Sequence, residues 1–141
     1  MKPRLHILTL AVTDLEESLR FYRDGLGWPT KGIVGEEFKG DESTPSGRVA
    51  FFNLENGLIF ALYPDLPKDA NRPRGEGIEF SMGYLVSKKD EVDVILGRAQ
   101  MAGATITEQP YDRPWGIYSG YFQDLDGHSW EIIYNPQMLP D

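Results

Sequence analysis

The chain has 141 residues, 40% hydrophobic and 26% charged, which is the composition of one folded domain of ordinary solubility and not of a disordered chain. Its formal charge of −8 excludes a sequence-independent nucleic-acid binder, which needs a basic face, and leaves a weak attraction for cationic small molecules. With no cysteine, disulfides, thiolate metal sites and cysteine nucleophiles are excluded as well.

The chain opens with an apolar run of eight residues, Leu5 to Val12, followed at once by acidic Asp14, Glu16 and Glu17. That run reads as a core strand; it is too short for a membrane span and lacks the cleavage site of a signal peptide. A cytoplasmic location is expected by default. Thr13-Asp14-Leu15-Glu16 reads as a capping box, and Leu15, Leu19, Tyr22 and Leu26 recur at helical spacing up to Gly25 and Gly27. Extended stretches follow at about 31–37, 48–54 and 58–63. Asn56-Gly57 joins the last two, and that pair predicts a type I′ hairpin.

The same order then repeats. A strand is predicted at 79–86, a second capping box at 87–90, and a helix with Val92, Ile95, Leu96, Ala99 and Ala102 on one face, ending at Gly103. Strands at about 105–108, 117–123 and 129–134 complete the second half, with Asp126-Gly127 standing where Asn56-Gly57 stood. A duplicated βαβββ unit is the reading: unit one about 3–64, a Pro- and Gly-rich linker about 65–77, and unit two about 78–137. No phosphate loop, nucleotide fingerprint or Gly-x-Ser-x-Gly elbow is present.

Two motifs carry a resemblance to a known family. Val12-Thr13-Asp14-Leu15-Glu16-Glu17-Ser18-Leu19-Arg20-Phe21-Tyr22 with Leu26-Gly27-Trp28 resembles the first helix of vicinal oxygen chelate proteins, the glyoxalase, bleomycin-resistance and extradiol dioxygenase group. Asp124-Leu125-Asp126-Gly127-His128-Ser129-Trp130-Glu131 resembles their closing hairpin and last strand. The resemblance covers essentially the whole chain. It implies an α+β fold in which two tandem βαβββ units form a curled mixed β-sheet cradle with helices outside.

Metal-dependent members of that family place ligands on the first and last strand of each unit. The resemblance puts those positions at Ile7, at Phe60 (or Ala61, if the hairpin turn is counted differently), at Ser81 and at Glu131. Only Glu131 keeps a ligand side chain, so no metal and no other cofactor is expected. His6 alternates with Ile7 and turns to the opposite face, and His128 follows a turn; neither has a second ligand beside it.

Glu131 alternates with Trp130, Ile132 and Tyr134, which should fill the helix side and leave the carboxylate free as a general base or hydrogen-bond acceptor. Trp115, Tyr118 and Tyr121 in the second half, and Phe51, Phe52, Phe60 and Tyr63 in the first, supply aromatic surface for a ligand. The expectation is a metal-free protein that binds a small organic molecule through Thr9, Phe52, Phe60, Ser81, Trp115, Tyr118, Tyr121 and Glu131. The alternative is a divergent lyase, isomerase or dioxygenase-like enzyme using Glu131 with or without a divalent metal. A homodimer is expected, because open sheet edges favour association; nucleic-acid and membrane partners are not.

Overall fold

The computed structural model describes residues 1–37, 39, 47–64 and 81–140. The chain divides into two compact units, Met1–Pro73 and Arg74–Asp141. The expected linker at 65–77 lies outside the described residues, as do the beginning of the strand expected at 79–86 and Phe38 just past the one expected at 31–37.

Unit 1 contains β1 (Ile7–Val12), α1 (Leu15–Arg20), β2 (Ile33–Val34), β3 (Val49–Asn53) and β4 (Ile59–Pro64). Its sheet order is β1-β4-β3-β2, with β1 parallel to β4 and the other pairs antiparallel. Unit 2 repeats the plan with β5 (Ser81–Val86), α2 (Asp90–Met101), β6 (Thr105–Asp112), β7 (Tyr118–Gln123) and β8 (Ser129–Tyr134). Its order, β5-β8-β7-β6, is the same arrangement with the same parallel pair. The two βαβββ units are therefore one supersecondary design used twice, an α+β fold of two mixed sheets. Among the described residues, no helix is long and apolar enough to cross a membrane.

Each sheet has a helix side and an open side. In unit 1 the rungs Leu8–Phe60–Phe52 and Leu10–Leu62–Ala50 share one face. There Leu10, Phe52, Phe60 and Leu62 are almost wholly buried, along with Leu15, Leu19 and Tyr22. Phe60 lies 4.9 Å from Tyr22, 5.3 Å from Trp28 and 5.8 Å from Phe52 between ring centroids, all in tilted or edge-to-face geometry. In unit 2, Met82, Phe122, Trp130 and Ile132 bury the helix side, as Val92, Leu96 and Ala99 do on α2. Phe122 stacks on Trp130 at 6.1 Å.

Several local expectations are corrected. Asp14, not Thr13, caps α1: its carboxylate accepts from the Glu17 N–H at 3.0 Å. The second capping box does not form, since α2 starts at Asp90 behind a helical Lys89 and the Ser87 hydroxyl bonds Glu91 instead, at 3.1 Å. After α1 the chain widens into a turn over Phe21–Gly25, where the Leu26 N–H reaches the Phe21 carbonyl five residues back at 3.0 Å.

The Asn56-Gly57 hairpin is not type I′, because only Gly57 has positive φ, at 88°. The Gly57 N–H donates to Leu54 C=O at 3.0 Å and Leu54 N–H to Leu58 C=O at 2.9 Å, a type I turn closed by a left-handed glycine. Asp124 to His128 repeats it, with Gly127 at φ 88° and corresponding bonds of 3.1 and 2.9 Å. In unit 2 the Asp124 carboxylate also accepts from the N–H groups of Asp126 and His128, at 3.0 and 2.9 Å. The predicted strand at 105–108 is longer than expected, running to Asp112.

Candidate functional site

The open face of the unit 2 sheet carries the polar chemistry. Its central rung is Glu108–Tyr121–Glu131–Gly83, and the next is Tyr111–Ser119–Ile133–Leu85. Strand alternation alone would send Glu108 and Tyr111, three residues apart, to opposite faces. The register of β6 shifts between Ile106 and Glu108 and again between Glu108 and Tyr111, and this irregularity brings both to one face. Gly120 makes room for it. A Cβ there would stand 2.9 Å from the Glu108 carbonyl oxygen and from the Pro110 nitrogen, and 2.8 Å from Leu96 Cδ1 of α2.

Arg113 ties the two rungs together. Its Nε donates to Ser119 Oγ at 2.6 Å, one terminal nitrogen to Tyr111 Oη at 2.7 Å, and the other to Ser119 C=O at 3.2 Å and Glu108 Oε1 at 3.3 Å. The guanidinium carbon lies 4.1 Å from the Tyr111 ring centre and 5.9 Å from that of Tyr121. Ser119, fully buried beneath this group, donates its hydroxyl to Glu131 Oε2 at 2.8 Å. Tyr121 stands beside Glu131 as its partner across the β7–β8 ladder. Burial is the main cause holding the Tyr121 phenol above its ordinary value; the neighbouring Glu131 carboxylate adds to it and Arg113 opposes it.

The expected site residues fall in different places. Tyr121 and Glu131 are paired across the ladder, and Ser81 lies on the same open face, exposed at the start of β5 on the rung of Ser129. Thr9 is exposed on the open face of unit 1, on the rung of Ala61 and Phe51. Phe52 and Phe60 are instead core residues on the helix side of unit 1, packed on Tyr22, because the strand ladder puts them on the rung of Leu8. This also settles which residue corresponds to Glu131 in unit 1: Ala61, four residues past its hairpin glycine as Glu131 is past Gly127.

Tyr118 is on the helix side too. Its hydroxyl contacts both Asp93 oxygens of α2, at 3.0 and 3.1 Å, and Lys89 lies 4.9 Å above its ring. Trp115 projects from the β6–β7 turn, 77% exposed, at φ 63° and ψ 25°. His6 is exposed, and its carbonyl accepts from the Ile59 N–H at 2.8 Å; His128 is half-buried.

The donor set around Glu131 decides what the carboxylate can do. A divalent ion needs several lone pairs directed at one point. Here Glu131 is met by the Ser119 hydroxyl hydrogen, with a guanidinium one residue beyond. Among the described residues, no three His, Asp or Glu side chains are grouped to hold an ion. Among the described residues around it, the Glu131 carboxylate is placed as a hydrogen-bond acceptor.

Comparison with known proteins agrees with this architecture. A glyoxalase-related enzyme from Fulvimarina pelagi is 28% identical, with a TM-score of 0.73 over 96% of this chain and 90% of that one. A glyoxalase/bleomycin resistance protein/dioxygenase from Nocardioides is 22% identical, with a TM-score of 0.71 over 100% of this chain and 89% of that one. A mutant of the genomically encoded fosfomycin resistance protein FosX from Listeria monocytogenes, complexed with Mn(II) and 1S,2S-dihydroxypropylphosphonic acid, is 21% identical. Its TM-score is 0.67 over 94% of this chain and 92% of that one. No curated protein matches the chain in sequence. The family model for the Glyoxalase/Bleomycin resistance protein/Dioxygenase superfamily matches residues 4–132, and the chain belongs to that superfamily.

Proposed function

We propose that the chain binds a small organic molecule on the open face of the unit 2 sheet, with Glu131 as polar anchor and no resident divalent metal. The observation that carries this reading is the Glu131 carboxylate held by Ser119 at 2.8 Å beside Tyr121, where metal-dependent relatives would need further ligands. Ile7, Ala61 and Ser81 supply none. Stripping water from a divalent ion against one carboxylate leaves most of its charge uncompensated, which is strongly unfavourable.

Calorimetry with nickel, zinc, manganese and iron(II) tests this on the wild-type protein and on Glu131→Gln. No stoichiometric binding is expected in either. Micromolar or tighter binding that disappears in Glu131→Gln would sink the metal-free reading. It would put the second reading first: a divergent lyase, isomerase or dioxygenase-like enzyme using Glu131. The half-buried pairing of Glu131 with a tyrosine is the observation on that side.

A further inference from the structure

The polar network of unit 2 has an apolar counterpart in unit 1. Tyr121 pairs with Glu131 as Phe51 pairs with Ala61, and Ser119 stands two residues before Tyr121 as Val49 stands before Phe51. Unit 1 makes the same sheet order and the same hairpin turn with Val49, Phe51 and Ala61. The fold therefore does not require the serine, the tyrosine hydroxyl or the carboxylate. Their presence in unit 2 calls for another reason.

We propose that Arg113 and Ser119 are positioning residues that hold Glu131 as a charged acceptor for a ligand's ammonium group. This rests on the binding role proposed above for the unit 2 open face. The polarity of the hydrogen bonds carries the argument. A guanidinium can only donate, so the Ser119 oxygen is committed as acceptor to Arg113 Nε at 2.6 Å. Its single hydrogen points to Glu131 Oε2 at 2.8 Å, and that oxygen accepts.

Arg113 is not available to a ligand in the same degree. Four hydrogen bonds use all but one of its five N–H groups, and its side chain is only 20% exposed. On this face Glu108 and Glu131 carry two negative charges against the one positive charge of Arg113. Among the described residues of this face one carboxylate is left unmatched, and Glu108 already pairs with the guanidinium at 3.3 Å. The ring of Tyr121 beside Glu131 and the half-exposed ring of Tyr111 supply aromatic surface. A small aromatic molecule bearing an ammonium completes both the charge and the packing.

The test is an NMR titration of the full chain with benzylammonium and, separately, benzoate, following the Tyr121 ring and the Glu131 carboxyl carbon. Benzylammonium is expected to shift both signals saturably in the millimolar range or below, while benzoate leaves them in place. Ser119→Ala should weaken benzylammonium about tenfold and move the Glu131 carbon in the free protein. Ser119→Thr, which keeps a hydroxyl, should recover most of the loss. Arg113→Lys, which keeps charge but not the fork, serves as second variant and should also weaken binding. Benzoate shifting the same signals, benzylammonium failing to shift them, or Ser119→Ala binding as tightly as wild type overturns the proposal. Those results without divalent-metal binding sink the positioning role alone; metal binding lost in Glu131→Gln sinks the reading beneath it.

Discussion

Ser119 is a small residue with a large share of the site's geometry. It is fully buried, accepts from Arg113 and donates to Glu131, so its removal leaves a donor and an acceptor short of partners in one place. Ser119→Ala is expected to cost about 1–3 kcal/mol in urea unfolding, the usual penalty for orphaning buried polar groups. Replacing all three network positions by their unit 1 equivalents (Ser119→Val, Tyr121→Phe, Glu131→Ala) should cost less than the sum of the single changes, because the orphaned groups go together. A strictly additive result would show that the three do not act as a unit.

Tyr121 also gives a pH dependence with a definite sign. Its folded value is raised above 10.0 by burial and by Glu131, so the folded protein keeps this proton at a pH where the unfolded chain has lost it. The contribution to stability is fully present below pH about 10 and declines as pH rises through the folded value. Urea midpoints measured from pH 9 upward should fall less steeply in Tyr121→Phe than in wild type. Tyr118, raised by burial and Asp93, acts in the same direction, so Tyr118→Phe is the necessary companion. An unchanged slope in both variants would contradict the half-buried placement of the phenols beside Glu131 and Asp93.

How far this site could be read from the sequence differs by residue. Glu131 and Tyr121 follow from alternation on their own strands, and Ser119 was open to the same argument, two residues before Tyr121. Arg113, Glu108 and Tyr111 were not. The register shifts of β6 break the two-residue period on which such reasoning depends; Pro110, inside the second shift, is a local mark of irregularity, but nothing announces the first. Phe52 and Phe60 failed for a related reason: aromatic density identifies apolar surface but not its face, and only the ladder to Leu8 assigns them to the helix side.

At the scale of elements, the order and type of almost every strand and helix were legible from periodicity and glycine stops. The cap and turn chemistry was less so. Asp14 and Thr13 are adjacent candidates for one cap, and Asn-Gly permits a type I′ turn without requiring it. Two glycines show how context decides. Gly120 has α2 and the bulged β6 within 3 Å of where a Cβ would stand, so Gly120→Ala must displace backbone and should cost about 1–3 kcal/mol. Gly97, inside α2, has nothing within 4 Å of that point. Gly97→Ala should therefore stabilise by about 0.5–1 kcal/mol through helix propensity alone. Thermal unfolding of the two variants checks both signs, and a stabilised Gly120→Ala would mean that β6 is not held against β7 as described.

For the whole molecule, the duplication explains the sheet order but leaves each unit, among the described residues, with two outer strands. In unit 1 the outer strands of the described sheet are β1 and β2, and in unit 2 they are β5 and β6. Ile7 on β1, Tyr84 on β5 and Tyr111 on β6 are exposed apolar side chains on those strands, 50%, 44% and 50% accessible. Edges with unpaired backbone groups and exposed apolar side chains favour association with a second copy, and closed two-fold pairs are the commonest solution. A charge of −8 opposes this only at low salt, where like-charged copies repel over longer distances. We therefore expect a homodimer, twice the 16.0 kDa chain, whose association strengthens as salt is raised from about 0.01 to 0.15 M. Light scattering at protein concentrations of roughly tens of micromolar is the measurement, since association is concentration-dependent. A monomer at every salt concentration would mean that these edges are protected within the chain itself. A dimer that weakens with salt would point to an interface built on charge instead of the apolar edge residues.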